Sequence, residues 1–476
     1  MPLPSSFWLD ELFTAFIVRY GDSHPSFAVA PQVAATIYYA LPGLSVWLLG
    51  TSEIAHRLPS VLAMAVALYL IGKLAARLIH PHAGWFAVFA SLGLGGINYE
   101  AANARPYALG ICVAAASFLF LVRWLDSARW SDALLFLLFA GLLWRVHLIY
   151  WPLYLVFTFY TVVRLGRSET PVTRWQAAAW FTGLGLVLLP VLLNALGILR
   201  VADEHAFAPM PGLRDLGNSF KLGLLSACGA IAWVFRAKRG SPEKDIRSGP
   251  GPHSWAPQAL IGGWWLLQPL CLYLYSRLSG NSVFLDRYLS VALPGTVLAA
   301  TSVAALLMPV RRWKQASLVL GTGVLLLMGQ WRVLWPAHDP SDWRGAARQL
   351  HALNLSSDTP VICPSPLLEA KAPAWDFNYA LPGYLYAHLD FYPIPGRPVL
   401  FPYGSAPEIL ADAAEEAGHS LFATGRFAIY GREIDVRFLS GWFAARPEFA
   451  GWRHASFGPF GNIGVALFES PSVPLR

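Results

Sequence analysis

Charge is what this chain has least of. Over 476 residues only 13% are Asp, Glu, Lys or Arg, while 55% are hydrophobic, 14% are aromatic and the mean hydropathy is +0.46. Soluble domains carry about twice that share of charge. A water-soluble globule is therefore excluded and an integral membrane protein implied.

Cysteine is scarce as well. Cys112, Cys228 and Cys271 fall in apolar runs and Cys363 stands alone, with no CxxC or Cys/His spacing, so neither a disulfide framework nor a zinc site is implied. The first residues lack a basic stretch followed by an apolar core, so no cleavable signal peptide is expected. The net charge of +7 would suggest nucleic acid in a soluble chain. Here the basic residues stand at the ends of apolar runs, where orientation in a bilayer accounts for them, and no nucleic-acid partner is expected.

What is abundant is long apolar runs. Stretches near the ~20 residues that cross a bilayer fall at roughly 58 to 78, 106 to 125, 147 to 164, 176 to 197, 216 to 235, 257 to 276, 289 to 308 and 314 to 335. Two shorter ones, roughly 84 to 98 and 131 to 144, need protein or a water-filled cavity around their ends. The total is about ten spans. Lys73 and Arg77, Arg123 and Arg129, Arg164, Arg167 and Arg174, the "FRAKRGSPEKDIR" loop, and Arg311, Arg312 and Lys314 fall on alternate loops, which the positive-inside bias makes cytoplasmic. The opposite loops contain Asp10 and Glu11, "YEAANARPYALG", "RVH", "SGNSVFLDRYLS" and everything after Trp335. An even count places both termini outside, and an outside N-terminus with no leading span points to a first helix missing from this chain.

After Trp335 the pattern changes. "DWRGAARQLHAL" has helical periodicity, and "PVIC", "SLFATGRFAIY" and "NIGVALFES" read as strands. Two domains are expected: a helical membrane domain over 1–335 and a small α/β extracytoplasmic domain over 336–476, long enough for its own core.

The candidate chemistry lies on the outer side. A helix through "SFWLDELFTAF" puts Leu9, Leu12, Phe13 and Phe16 on one face, as in a helix lying on a membrane surface. At ~100° per residue, Glu11 points away from that stripe and Asp10 sits on its border. The two carboxylates diverge, so they do not flank one bond as a glycosidase pair does. Either one faces a reacting centre while the other orients the loop, or both are solvated acids. A second cluster, "INYEAANARPYALG", gathers Glu100, Asn103, Arg105 and Tyr107, and a third, "FLDRYLSVALPG", sets Arg287 and Tyr288 before a span. His147 stands at another outer turn and Arg57 opens a span in "HRLPS". Each has a bland reading: the arginines as snorkelling anchors, the histidine as structural. Taken together they put carboxylates suited to proton abstraction beside arginines suited to phosphate oxygens. That is what transfer of a group from a phosphorylated lipid requires.

"FWLDELFT", "HRLPSVLA", "NARPYALG" and "DRYLSVALPG", in this order, resemble the GT-C glycosyltransferases related to protein O-mannosyltransferases and the aminoarabinose transferase of lipid A. The resemblance covers nearly all of the membrane part, and "DWRGAARQL" is similar to the start of the outer domain in bacterial relatives. It implies a multi-pass inner-membrane enzyme with an extracytoplasmic site, which moves a sugar with inversion from a polyprenyl-phosphate donor to a glycan, lipid or protein acceptor. In that reading Asp10 is the base or acceptor-binding carboxylate, Glu11 supports it, and Arg105 and Arg287 stand near the lipid phosphate, with Arg57, Glu100, Asn103, Tyr107, His147 and Tyr288 as further binding residues. No cofactor is fixed, and a divalent metal is left open. Asn103 stands where relatives often carry Glu, with Glu100 a turn earlier, and "SHPSF" lies earlier than the His-Pro-Pro of relatives. The rival readings are a lipid or saccharide transporter with a charged pathway and a non-catalytic scaffold.

Overall fold

The computed structural model describes residues 3–25, 36–199, 208–236, 255–330, 340–367, 369–370, 383–404 and 407–471. They divide into two compact units: one takes residues 36–38 and 57–330, and the other takes 3–25, 39–56 and 340–471. The helices run in chain order α1 (Leu9–Tyr20), α2 (Ala40–Leu49), α3 (Glu53–Leu78), α4 (Gly84–Leu92), α5 (Gly95–Ala101), α6 (Tyr107–Ser127), α7 (Trp130–Val146), α8 (Pro152–Gly166), α9 (Arg174–Leu199) and α10 (Leu213–Ser219). They continue with α11 (Leu222–Val234), α12 (Trp255–Ser279), α13 (Asp286–Leu289), α14 (Leu293–Leu307), α15 (Trp313–Gln330), α16 (Trp343–Ala352), α17 (Ala387–Phe391), α18 (Pro407–Thr424) and α19 (Glu433–Ala444).

The first unit is helical throughout its described residues, as the apolar runs require. Among the described residues five stretches, Glu53–Leu78, Tyr107–Ser127, Leu148–Gly166, Arg174–Gly197 and Asp286–Leu307, are each long and apolar enough to cross a membrane. That is fewer than the ten runs of the sequence. The run at 216 to 235 is one of those that does not form a single helix: Gly217, Asn218 and Ser219 are poor helix formers, and Lys221 turns left-handed (φ 49°) between α10 and α11. Likewise the run at 84 to 98 stops at Leu92 and restarts at Gly95. Pro190 and Pro269 sit inside α9 and α12, as membrane helices tolerate.

Large rings fill the centre of this unit. Phe118 stacks on Trp264 with centroids 4.2 Å apart and meets Phe157 edge-on at 4.8 Å, and the Trp264 indole N–H donates to the Val291 carbonyl at 2.8 Å. A Cβ on Gly295 would lie 2.5 Å from the Trp265 backbone nitrogen. Only glycine lets α14 approach α12 so closely.

The second unit is built on a mixed five-stranded sheet, in the order β2-β1-β3-β5-β4, formed by β1 (Pro360–Pro364), β2 (Arg397–Phe401), β3 (Arg426–Arg432), β4 (Arg453–Phe460) and β5 (Ile463–Glu469). β1 runs parallel to β2 and β3, while β5 pairs antiparallel with β3 and β4. The strand expectations hold at "PVIC" and "NIGVALFES" but not over all of "SLFATGRFAIY". Ser420 to Thr424 there finish α18, and the strand starts at Arg426. Phe427, Phe443, Phe449 and Phe468 centre the apolar core under the sheet, and Asp342 caps α16 by accepting the Gly345 N–H at 2.9 Å.

Candidate active site

Three stretches of the first unit converge. "NARPY" makes a tight turn in which the Arg105 N–H donates to the Asn103 carbonyl at 2.8 Å, and Pro106, already at helical dihedrals, starts α6 so that Tyr107 is its first residue. α7 ends at Val146, leaving His147 extended before a single 3-10 turn over Leu148–Tyr150. α13 and the turn after it pack on α5 and α6.

The result is a ring cluster: Tyr107 stacks on His147 at 5.7 Å, His147 lies 5.3 Å from Tyr288 and 5.6 Å from Tyr150, and the Arg287 guanidinium sits 5.4 Å over the Tyr288 ring. Burial, then the charge of Arg105, then that of Arg287, push the His147 imidazole down to about 3. Both guanidiniums therefore act on one neutral histidine. Glu100 and Asn103 are buried as well, and the Asn103 amide donates to the Glu100 carboxylate at 2.9 Å. Arg57 is fully buried near the start of α3.

Sequence reasoning missed Gln268. Its amide donates to the carbonyls of Ile149 and Tyr288, each at 3.1 Å, which ties the His147 turn to the Arg287 turn. The signal was a fully buried amide in the apolar run "WWLLQPLCL", a polar group that a membrane helix keeps only for a reason.

The acidic pair belongs to the second unit. α1 is buried from Glu11 through Ile17, so it is not an amphipathic helix with one wet face. Glu11 is fully buried, contrary to its reading as a solvated acid, and its carboxylate accepts the Trp8 N–H at 3.3 Å, closing the first turn. Asp10 is half-buried. Residues distant in sequence hold the helix. Phe13 meets Tyr384 at 5.3 Å, and the Phe7 N–H donates to the Tyr392 hydroxyl, which donates in turn to Glu53 at 2.8 Å. Arg344 also pairs with Glu53, and Ser6 donates to Asp342 at 2.9 Å.

Among the described residues no group of three or more His, Cys, Asp or Glu side chains is placed to hold a metal ion.

No family model and no curated protein matches the chain. Among solved structures, ArnT from Cupriavidus metallidurans in the apo state shares its fold, with a TM-score of 0.56 and 12% identity over 98% of this chain and 94% of that one. ArnT from the same organism bound to undecaprenyl phosphate gives a TM-score of 0.53 at 12% identity over 98% and 95%. The chain thus shares the fold of these two ArnT structures, in line with the resemblance its motifs suggested. It is a polytopic helical membrane architecture with a small C-terminal sheet.

Proposed function

We propose that the chain is a glycosyltransferase that moves a hexosyl or pentosyl group from a polyprenyl-phosphate donor to an acceptor on the extracytoplasmic side, with inversion at the anomeric carbon. The observation that carries this reading is the ring cluster of Tyr107, His147 and Tyr288 with the Arg287 guanidinium over the Tyr288 ring, which the charge of Arg105 also reaches. A fold-mate bound to undecaprenyl phosphate makes a lipid phosphate the natural guest. Two fork-shaped cations suit the phosphate oxygens. The neutral His147 adds a hydrogen-bond donor without a third positive charge.

In the step itself the acceptor oxygen or nitrogen bonds to the anomeric carbon, the bond from that carbon to the phosphate oxygen breaks, and the electron pair leaves with the phosphate. Neutralising that charge is worth more than a strong general acid. Asp10 takes the acceptor proton, a role that rests on the motif resemblance, and Glu11 fixes the first turn from which Asp10 projects. An apolar groove lined by Trp144, Trp151, Tyr154, Phe181 and Leu188 offers the chemistry an isoprenoid chain needs.

The test is titration of the purified protein with undecaprenyl phosphate. Arg105→Ala and Arg287→Ala should each weaken binding by roughly 1.5 to 3 kcal/mol, as for a lost charge-assisted bond. Unchanged binding in both removes the cluster from the donor site.

A further inference from the structure

At the other end of α3 and α6 lies a second cluster of charge. α6 has 21 residues, so at ~1.5 Å per residue its two ends stand about 30 Å apart, roughly the thickness of a bilayer core. Tyr107 is at one end, and a cavity of about 600 Å³ lies at the other. Lys73 and Arg77 of α3, Arg123 of α6 and Arg129 before α7 line it, with Asp132 as the one acid of the lining.

The orientation bias of membrane proteins asks only for basic residues on this side. It does not ask for charges from three elements around one concavity, nor for guanidiniums held in place. Asp126 accepts the Arg77 Nε at 2.8 Å and Arg164 at 2.8 Å, and Asp132 fixes the Arg123 Nε at 2.9 Å. Even with Asp126 counted, the cations outnumber the acids. One turn deeper on each helix the lining becomes apolar: Tyr69 and Leu70 precede Lys73, and Leu119 and Phe120 precede Arg123. The Lys73 ammonium lies 5.3 Å over the Tyr69 ring, and Arg123 lies 5.3 Å over Phe120.

Cations at the rim with aromatic and aliphatic groups beneath repeat the order of a lipid, headgroup above and chain below. We propose that this cavity binds the headgroup phosphate of an anionic phospholipid in the leaflet opposite the candidate active site. The recognition is that of basic pockets between membrane helices. Lys73 and Arg129 supply charge from exposed positions, while Arg77 and Arg123, oriented by their aspartates, supply fixed donors.

The experiment compares the protein with the exposed-residue variants Lys73→Gln, Arg129→Gln and their combination, in nanodiscs of phosphatidylcholine with and without phosphatidylglycerol. Lipid retained by the protein is read by native mass spectrometry and stability by the thermal unfolding midpoint. Phosphatidylglycerol should be retained and should raise the parental midpoint, and its affinity should drop about fivefold for each charge removed, with midpoints in pure phosphatidylcholine unchanged. Equal phosphatidylglycerol retention in the parent and in the variants that fold overturns the proposal. So does inorganic phosphate that reproduces the full rise in phosphatidylcholine discs, because the ligand is then the free anion.

Discussion

Arg105 and Arg287 lie 182 positions apart in sequence and bear on the same imidazole. If both grip phosphate through two parallel N–H groups, replacement by Lys should lose nearly as much undecaprenyl phosphate affinity as replacement by Ala, since a point charge does not reproduce the fork. Full retention of affinity by both Lys variants would reduce the contact to simple charge. His147 gives a pH signature. Its folded value of about 3 lies below the ~6.5 of an unfolded histidine, so its stabilising contribution is present above pH 6.5 and is lost as pH falls from there toward 3. The parental unfolding midpoint should therefore drop more between pH 7.5 and pH 5 than that of His147→Gln, and parallel curves would show that the imidazole is not held neutral. These residues were legible as types in the sequence. The burial of Glu11 was not, because the groups that enclose α1, Tyr384 and Tyr392 among them, come from about 370 residues away, and helical periodicity sees only its own turn.

Elements that cross the membrane in one piece were the easiest to read, since apolar length alone defines them. Breaks inside apolar runs were harder, as the α10/α11 joint at Lys221 depends on a few weak helix formers. β4, mostly exposed along its length, lacks the alternation that marks a half-buried strand and went unseen. The α12/α14 approach at Gly295 is the element contact most open to test. Gly295→Ala forces backbone apart and should destabilise the protein by about 1 to 3 kcal/mol through overpacking. Gly43→Ala, where nothing lies within 4 Å of the added carbon, should instead stabilise α2 slightly, by about 0.5 to 1 kcal/mol. Equal thermal midpoints for the two variants would mean that the close approach is not tight.

For the whole molecule, the fold shared with ArnT over 98% of the chain agrees with what four short motifs suggested. The sugar and acceptor leave no such mark in the sequence, since their contacts depend on side chains gathered from distant positions. The alternating basic loops predict that residues 340 to 471 are extracytoplasmic, so a phosphatase reporter, which works only outside the cytoplasm, should be active when fused at residue 340, and an expressed but inactive fusion would reverse the orientation of the site. The most direct measurement is sugar transfer from a polyprenyl-phosphate donor in membranes containing the parental protein or Asp10→Asn, with expression and donor binding checked in each. Loss of a general base lowers rates by about a hundredfold to ten-thousandfold, so transfer should collapse in Asp10→Asn while donor still binds, and Glu11→Gln should lose less. Transfer at the parental rate by Asp10→Asn, with donor bound, would contradict the account.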